Sequence, residues 1–312
     1  MKILLFGANG QVGWELQRSL APLGEVIALQ KAQRSNTSSA YSSLCGDLSN
    51  LQGIAATVAQ VRPDVIVNAA AYTAVDKAES DTQAAHLINA LAPGVLASAA
   101  NAIGALMVHY STDYVFDGSG SKPWVETDPT GPLNVYGKTK LEGERLITSQ
   151  CPKHLILRTS WVYAARGNNF AKTMLRLAQE RETLSVINDQ FGAPTGADLL
   201  ADASAHAIRQ ALGRAEDAGV YHVAAAGETT WFHYAKHVLG QVKCAQAATE
   251  IIAKIILPGA TTAFPAAAQR PLNSRLNTDK FQHSFGLCMP PWQEGVARML
   301  AEPHNNQDGF AE

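Results

Sequence analysis

Tyr136 and Lys140 stand four residues apart in Asn134-Val-Tyr-Gly-Lys-Thr-Lys, which leads into a helical run over 141–148. On a helix this spacing places a phenol and an ammonium on one face. Thr112 follows a predicted buried strand over 106–110. A Tyr-x-x-x-Lys pair is common by chance, but it gains weight from a strand-end threonine and a glycine-rich turn earlier in the chain.

These three side chains are suited to reducing a ketone, which needs a hydride from a nicotinamide and a proton for the developing alkoxide. A free tyrosine has a pKa near ~10. We expect the Lys140 cation and a positive nicotinamide ring to lower the pKa of Tyr136, so that it relays a proton near neutral pH. Thr112 can donate a hydrogen bond to the same carbonyl oxygen, and Lys140 can also hold the nicotinamide ribose.

A dinucleotide-binding turn is predicted at Gly7, Gly10 and Gly13, between an apolar strand over 3–6 and a helix over 14–20. One glycine permits the tight turn, one lets backbone N–H groups approach a pyrophosphate, and one lets helix and strand pack closely. The helix N-terminus then favours the negative charge. The alternative is that the three glycines form a turn that binds no ligand.

The end of the second predicted strand, 25–29, bears on the choice of cofactor. NAD-binding folds commonly place there an acidic side chain that accepts from the ribose 2′-OH. This chain has Gln30, followed by Lys31 and Arg34, which favours a 2′-phosphate and hence NADPH. The alternative is a solvated basic loop, and NADH remains possible as the cofactor.

Two further strand ends are predicted to border the same crevice. Cys45-Gly-Asp-Leu48 is predicted to be the end of a third strand, where Asp47 either reaches the adenine amino group or caps the helix over 51–61. The small residues Ala69, Ala70 and Ala71 follow a buried strand over 63–68 and leave room for a ligand, or allow tight helix packing.

Alternating strand and helix signals predict an α/β protein with a doubly wound, Rossmann-type parallel sheet and a smaller α/β C-terminal domain. We expect a dinucleotide-binding domain over 1–165 and a substrate domain mainly over 166–312. Residues 195–228 are expected to return to the first domain, through a strand over 219–224. A long helix is predicted over 82–102 despite Pro93.

Composition excludes several classes of protein. The 312 residues are 46% hydrophobic and 17% charged, with a formal net charge of −2, which argues against a nucleic-acid partner. No apolar stretch approaches ~20 residues, so no membrane span is expected. The scattered cysteines, Cys45, Cys151, Cys244 and Cys288, are typical of reduced thiols in a cytoplasmic protein.

With these residues in view, the chain resembles the extended short-chain dehydrogenase/reductase family over nearly its whole length. Within that family it is most similar to sugar-nucleotide reductases that act on a dTDP-linked keto-sugar. The resemblance rests on blocks that begin at Gly7, Asn68, Ser111, Asn134, Arg158 and Asn188. It implies reduction of the C4 ketone of dTDP-4-dehydro-L-rhamnose by NADPH or NADH. Gln30 departs from members with Asp at that position.

The resemblance also assigns roles to residues. Catalysis falls to Thr112, Tyr136 and Lys140, and the sugar nucleotide to Thr112, Asp113 and Trp161, although Trp161 could instead be a core residue. The implied cofactor residues are Gly10, Gln11, Val12, Asp47, Leu48, Ala69, Ala70 and Ala71. Tyr114 replaces the Glu of related dehydratases, which favours simple reduction over elimination.

Three further implications of the resemblance concern ions and assembly. Some members bind Mg²⁺ at a dimer contact through acids at the places of Glu15, Asp198 and Glu294, but surface carboxylates are usually just solvated. Arg270 and Arg275 lie in a loop that resembles the family's sugar-nucleotide loop, and a guanidinium suits a diphosphate, although both could be surface residues. The chain is expected to be a monomer or homodimer.

Two other functions remain open at this level. A sugar-nucleotide epimerase would use the same Tyr and Lys but return its hydride to the substrate. A non-catalytic dinucleotide-binding regulatory subunit would be expected to have lost the Thr–Tyr–Lys set, whereas here Thr112, Tyr136 and Lys140 are all present.

Overall fold

The computed structural model of the protein describes residues 1–31, 44–244 and 251–302. The strands in these ranges are β1 (Lys2–Phe6), β2 (Glu25–Leu29), β3 (Val65–Asn68), β4 (Leu106–Thr112), β5 (His154–Thr159), β6 (Val162–Tyr163), β7 (Thr183–Ile187), β8 (Phe191–Gly192), β9 (Thr195–Gly196), β10 (Gly219–His222), β11 (Thr229–Thr230) and β12 (Ile255–Gly259). The helices are α1 (Gln11–Leu20), α2 (Leu51–Val61), α3 (Val75–Ala78), α4 (Thr82–His86), α5 (Ala92–Ile103), α6 (Val135–Gln150), α7 (Phe170–Glu180), α8 (Ala197–Ala211), α9 (Trp231–Cys244), α10 (Asp279–Phe285) and α11 (Trp292–Ala301).

Six strands form one parallel sheet in the order β2-β1-β3-β4-β5-β10. Successive residues of β1 enter different cores, as the two-residue period of a strand requires. Ile3 and Leu5 pack with α1 and α8 on one face, and Leu4 and Phe6 pack with α2, α5 and α6 on the other. Helices cover both faces, which confirms the predicted doubly wound α/β class.

The prediction of a third strand that ends at 45–48 is wrong, since residues 44–47 pair with no strand among the described residues. The side chain of Thr57 in α2 takes over the backbone groups that a strand ladder would use. The Cys45 N–H donates to Thr57 Oγ1 at 2.8 Å, and the Thr57 hydroxyl donates to the Cys45 carbonyl at 3.2 Å. Arg34, the polar stretch 35–43 and the side chain of Cys244 lie outside what the structure describes.

The predicted helix over 82–102 is present as one continuous helix, Thr82–Ile103, formed by α4, a π-helical turn over Leu87–Leu91, and α5. By length and composition this helix could cross a membrane, with a mean hydropathy of 1.2. The expectation that no apolar stretch approaches ~20 residues was therefore wrong. Its α5 half is a core helix of the sheet domain, because Leu96, Ala97 and Ala100 are fully buried beneath the sheet.

Two smaller cores form in the C-terminal half. One gathers Tyr234 and Trp292 between α7, α9 and α11, and the other packs α7 and α9 against β7 and β12. The strand β10, by contrast, pairs in parallel with β5 at the edge of the main sheet. The thiols of Cys45, Cys151 and Cys288 are free.

Candidate active site

A cleft of about 750 Å³ opens at the carboxyl ends of β1 and β3, where the chain crosses from one side of the sheet to the other. Its wall joins the glycine turn to the Tyr-Lys pair. Residues from the sequence prediction that line it are Gly7, Gly10, Gln11, Val12, Asp47, Leu48, Ala69, Ala70, Ala71, Tyr136 and Lys140. The structure therefore brings most of the predicted cofactor residues and two of the predicted catalytic residues to one site, whereas Gly13, Gln30 and Thr112 do not line the cleft.

The three glycines play different parts in this turn. Gly7 adopts φ +85°, and a Cβ there would lie 2.6 Å from the Ala70 nitrogen, so the β1 turn touches the β3 turn through bare backbone. A Cβ on Gly13 would lie 2.0 Å from the Gly7 carbonyl oxygen, so this position packs helix against turn. Gly10 is the N-cap of α1 and faces the cleft.

The helix α1 begins at Gln11, three residues before the predicted start. No side chain caps it, and its first turn holds no acidic residue, which leaves this end suited to an anion. The Gln11 amide donates to the carbonyl oxygens of Asn168 at 3.0 Å and Arg166 at 3.3 Å. The loop that follows β6 is thereby held against the glycine turn.

The nucleotide end of the cleft carries amide and cationic groups after β2. The Gln30 side chain is exposed and accepts a hydrogen bond from the Asn9 amide at 3.1 Å, while Lys31 lines the cleft. Asp47 also lines it, and its carboxylate accepts from the N–H and hydroxyl of Ser49. The interpretation of Asp47 as the cap of the next helix is wrong, because Asn50 caps α2 by accepting from Gly53 N–H.

The helix α6 positions Tyr136 and Lys140. It is capped by Asn134, whose side chain accepts from the Gly137 N–H and donates to the Gln269 carbonyl. A Cβ on Gly137 would lie 2.2 Å from the Tyr114 carbonyl oxygen, so the start of the helix lies directly against the turn after β4. This contact brings Tyr136 beside the end of β4.

Thr112 and Asp113 occupy that strand end, and both are buried. The Thr112 hydroxyl donates to Asp113 Oδ1 and accepts from the Tyr114 N–H, each at 3.1 Å. Burial raises the pKa of Asp113 to about 7, while hydrogen bonds from Ser274 and Thr112 act in the opposite direction. Its Oδ2 is buried and has no hydrogen-bond partner among the described residues, which leaves its hydrogen-bonding capacity unsatisfied.

The pKa of Tyr136 differs from the sequence expectation. Burial raises it to about 12, a side-chain hydrogen bond with Thr112 lowers it, and the charge of Asp113 raises it. Lys140 does not lower it, because the Lys140 nitrogen points instead to the backbone carbonyl of Tyr110 at 2.5 Å and to His109 Nε2 at 3.0 Å.

Lys140 is itself a perturbed base. Its side chain is almost completely buried, and burial lowers its pKa to about 8, against the opposing effect of Glu144 one turn further along α6. Glu144 forms a two-pronged ion pair with Arg158, at 2.9 and 2.7 Å, and accepts from the Ser111 hydroxyl at 2.5 Å. Sequence reasoning missed this ion pair, since its members lie on different elements.

Trp161 lies on the C-terminal side of the site with φ +49°. Its ring stacks on Trp231 with centroids 3.6 Å apart, and it lies against Gly192, where a Cβ would be 2.7 Å from the indole. The side chain is half-buried, so it is not a residue of the closed cores. The structure does not place it in the cleft wall with Tyr136.

Both candidate diphosphate arginines are engaged in ion pairs. Arg270 forms a two-pronged pair with Asp76, at 3.1 and 2.6 Å, and Arg275 donates to Glu228 at 2.5 Å while stacking over Phe191. Neither guanidinium is a free surface group. The Arg270 pair fastens the loop 265–276 to α3.

The three candidate metal ligands do not form a metal site. Glu15 lies 3.6 Å from Arg18, and Asp198 lies 3.4 Å from Arg298. Burial raises the pKa of Glu15, and the charge of Asp198 adds to that effect. Asp198 and Glu294 share a cavity of about 350 Å³ with Arg298. In the described part of the chain, no group of three or more His, Cys, Asp or Glu side chains is placed to hold a metal ion.

The site contains two buried polar residues that sequence reasoning did not assign. His109 precedes Thr112 in β4 and contacts Lys140, and Asn68 closes β3 and contacts His109 at 3.1 Å. Both are fully buried. Their signal in the sequence is a polar residue inside an otherwise apolar strand, which calls for a hydrogen-bond partner.

Comparison with known proteins agrees with this geometry. The family model described as the RmlD substrate binding domain matches residues 1–305. A dTDP-4-dehydrorhamnose reductase of Salmonella typhimurium is 60% identical over 302 residues, covering 97% of this chain and 98% of the relative.

Two solved structures share the fold. A dTDP-4-dehydrorhamnose reductase of Clostridium acetobutylicum has a TM-score of 0.84 at 35% identity, covering 96% of this chain and 98% of its own. A dTDP-4-dehydrorhamnose reductase of Bacillus anthracis, solved in complex with NADP, has a TM-score of 0.81 at 34% identity, with the same two coverages.

Proposed function

The chain belongs to the RmlD substrate binding domain family, and we propose that it reduces the C4 ketone of dTDP-4-dehydro-L-rhamnose to dTDP-L-rhamnose with NADPH. The observation that carries this proposal is the cleft in which Tyr136 and Lys140 face the glycine turn at the carboxyl ends of the parallel strands. The name and identity of the Salmonella relative supply the substrate.

A reduced nicotinamide dinucleotide bound in this cleft would supply the hydride. The chain's own residues would supply the rest. The uncapped start of α1 would hold the pyrophosphate, and the bare backbone at Gly7 and Gly10 lets a ligand approach closely. The fit is chemical as well as steric, because no carboxylate stands in the first turn of α1 to repel an anion.

Tyr136 would donate the proton to the ketone oxygen as negative charge develops there. The Thr112 hydroxyl would turn from Asp113 to donate a second hydrogen bond to the same oxygen. A cationic Lys140 would stabilise the phenolate that Tyr136 becomes. Burial raises the pKa of Tyr136 to about 12, so the phenol is protonated at neutral pH, and positive charge near the ring would ease its conversion to the phenolate. Holding the ketone against the nicotinamide would supply much of the rate.

Specificity would come from groups on both sides of the cleft. The exposed Gln30 and Lys31 favour the 2′-phosphate of NADPH over NADH, in line with the NADP bound to the Bacillus anthracis relative. Asp113, with its unpartnered buried oxygen, would accept from a sugar hydroxyl. Trp161 would border the sugar. Residues 1–165 with the segment 195–228 would form the cofactor half, and the rest of 166–312 the sugar-nucleotide half.

The direct test mixes purified protein with NADPH and dTDP-4-dehydro-L-rhamnose and follows absorbance at the nicotinamide band. Net oxidation of NADPH that depends on the sugar nucleotide supports the proposal. Epimerisation without net oxidation would favour the epimerase alternative, and tight dinucleotide binding without any turnover would favour a regulatory subunit. The cytoplasmic location and the monomer or homodimer state stay predictions, the latter measurable by sedimentation.

A further inference from the structure

A chain of buried hydrogen bonds leads from the cofactor loop to Lys140. The Ala70 N–H donates to Asn68 Oδ1 at 3.1 Å, the Asn68 amide nitrogen lies 3.1 Å from His109 Nδ1, and His109 Nε2 lies 3.0 Å from Lys140 Nζ. Asn68, His109 and Lys140 are between 0% and 2% exposed, so water does not substitute for any of these partners. Ala70 and Lys140 both line the cleft.

The direction of each bond follows from which atoms can donate. Because Asn68 Oδ1 accepts from the backbone N–H, the Asn68 NH₂ group faces His109 and can only donate. His109 Nδ1 must therefore accept. Burial holds the pKa of His109 well below its usual range, so the ring is neutral, and with Nδ1 accepting, its single proton sits on Nε2.

The Nε2 proton points at Lys140, and this fixes what the lysine can be. A donor requires a lone pair on its partner, and a lysine nitrogen has one only as the neutral amine. The amine can still donate to the Tyr110 carbonyl, which lies 2.5 Å away. An ammonium at the same place would set an N–H of His109 against an N–H of Lys140.

We propose that His109 is a positioning residue that couples the protonation state of Lys140 to the hydrogen bonding of the cofactor loop at Ala70. When the pair takes up one proton from solvent, the Nε2 proton passes to Lys140 Nζ and the new proton resides on Nδ1. The ring stays neutral, and Lys140 becomes an ammonium that donates to Nε2. The Asn68 amide must then turn its oxygen to His109 and release the Ala70 N–H.

The other charged groups around Lys140 do not impose this coupling. Glu144 on α6 favours the ammonium, but Arg158 on β5 neutralises it as an ion pair. The charge of Asp113 after β4 acts on Tyr136 on α6, and neither of the two shifts the pKa of Lys140. Only His109 and the Tyr110 carbonyl touch Nζ among the described residues.

Nitrogen NMR of protein labelled with ¹⁵N-histidine tests the coupling without any substrate. The His109 signal is identified as the one missing from H109Q. Well above pH 8 we expect the proton on Nε2, and well below pH 8 on Nδ1, with a midpoint at the pKa of Lys140, about 8, and no imidazolium. A His109 ring that keeps one tautomer throughout, or that titrates to the imidazolium, would overturn the proposal.

A second test uses turnover and rests on the proposed function. Since turnover needs the ammonium, kcat should fall as pH rises through the pKa of Lys140. In N68D a carboxylate accepts from both Ala70 N–H and His109 Nδ1–H, which fixes Nε2 as an acceptor. The alkaline limb of kcat should move up by about one pH unit, a tenfold gain in proton affinity.

The H109F background separates this effect from simple charge attraction, because a phenylalanine ring has no polar atom that could link residue 68 to Lys140. There, N68D should move the limb by less than half as much, and an equal shift in both backgrounds would refute the coupling. H154Q, which removes a buried histidine bonded to the Cys151 carbonyl, is the matched control and should leave the limb unmoved. If no NADPH is oxidised but the tautomer still switches, the proposed function fails and the coupling stands.

Discussion

Replacing Arg158 by methionine is expected to destabilise the protein by about 3–5 kcal/mol. The side chains of Arg158 and Glu144 are 6% and 4% exposed, so the substitution leaves a carboxylate in the interior without its counter-ion. Two charge-assisted hydrogen bonds, of 2.9 and 2.7 Å, are lost, and among the described side chains the Ser111 hydroxyl alone still donates to the Glu144 carboxylate.

The cost comes from the stranded charge rather than from the value of the pair itself. Desolvation of two buried ions offsets most of their attraction, so an apolar pair of similar volume is tolerated. The double variant E144L/R158M should therefore be more stable than R158M alone, although it carries one more substitution. This reversal is specific to a buried charge and would not follow from lost packing.

Urea unfolding at pH 7.5, followed by tryptophan fluorescence and circular dichroism, measures the free energies of unfolding of R158M, E144L and the double variant. R176A provides the control, because it breaks a pair with Glu180 whose side chains are 61% and 48% exposed, and it should cost less than about 1 kcal/mol. The reasoning is refuted if R158M loses no more than R176A, or if the double variant loses the sum of its two single variants.

Four further results are expected. Y136F should lower kcat by about 10²–10⁴-fold, since it removes the proton donor, while NADPH affinity measured by fluorescence stays within about twofold. G13A should abolish NADPH binding because its Cβ would overlap the Gly7 carbonyl, whereas G240A, with open space around that position, should bind normally in the same titration. Chelation by EDTA should leave sedimentation and NADPH oxidation unchanged, since Asp198 is paired with Arg298 and no metal-binding group of three or more such side chains forms in the described ranges. Because burial raises the pKa of Asp113 to about 7, the folded protein should lose stability as pH rises from about 4 to about 7, by up to about 4 kcal/mol in total. In urea unfolding, D113N should therefore be more stable than the parent at pH 8 and equal to it at pH 3.5.

Local pattern predicted much of this molecule. The strand–glycine–helix order at Gly7 fixes the position of the cleft, because only that order places an uncapped helix start beside a strand end. The four-residue spacing of Tyr136 and Lys140 correctly placed both on one wall. These features depend on residues within one or two turns of each other, so the sequence carries them directly.

Contacts between distant segments could not be predicted in the same way. The Thr57 hydroxyl takes the place of the strand-to-strand hydrogen bonds expected at Cys45, and no residue close to Cys45 in the sequence predicts this contact. Asp76 pairs with Arg270 across 194 residues, so the guanidinium of Arg270 appeared free when taken alone. The high pKa of Tyr136 arises from burial by several elements at once.

The return of β10 to the sheet has a consequence for dissecting the protein. A fragment ending near residue 165 would expose the edge of β5, whose residues are all buried in the intact chain, and uncover the α1 face that packs on α8. Unpaired edges of this kind template association between molecules. The two halves of the chain thus depend on each other for folding. Engineering of this protein should therefore change surface loops rather than divide the chain near residue 165.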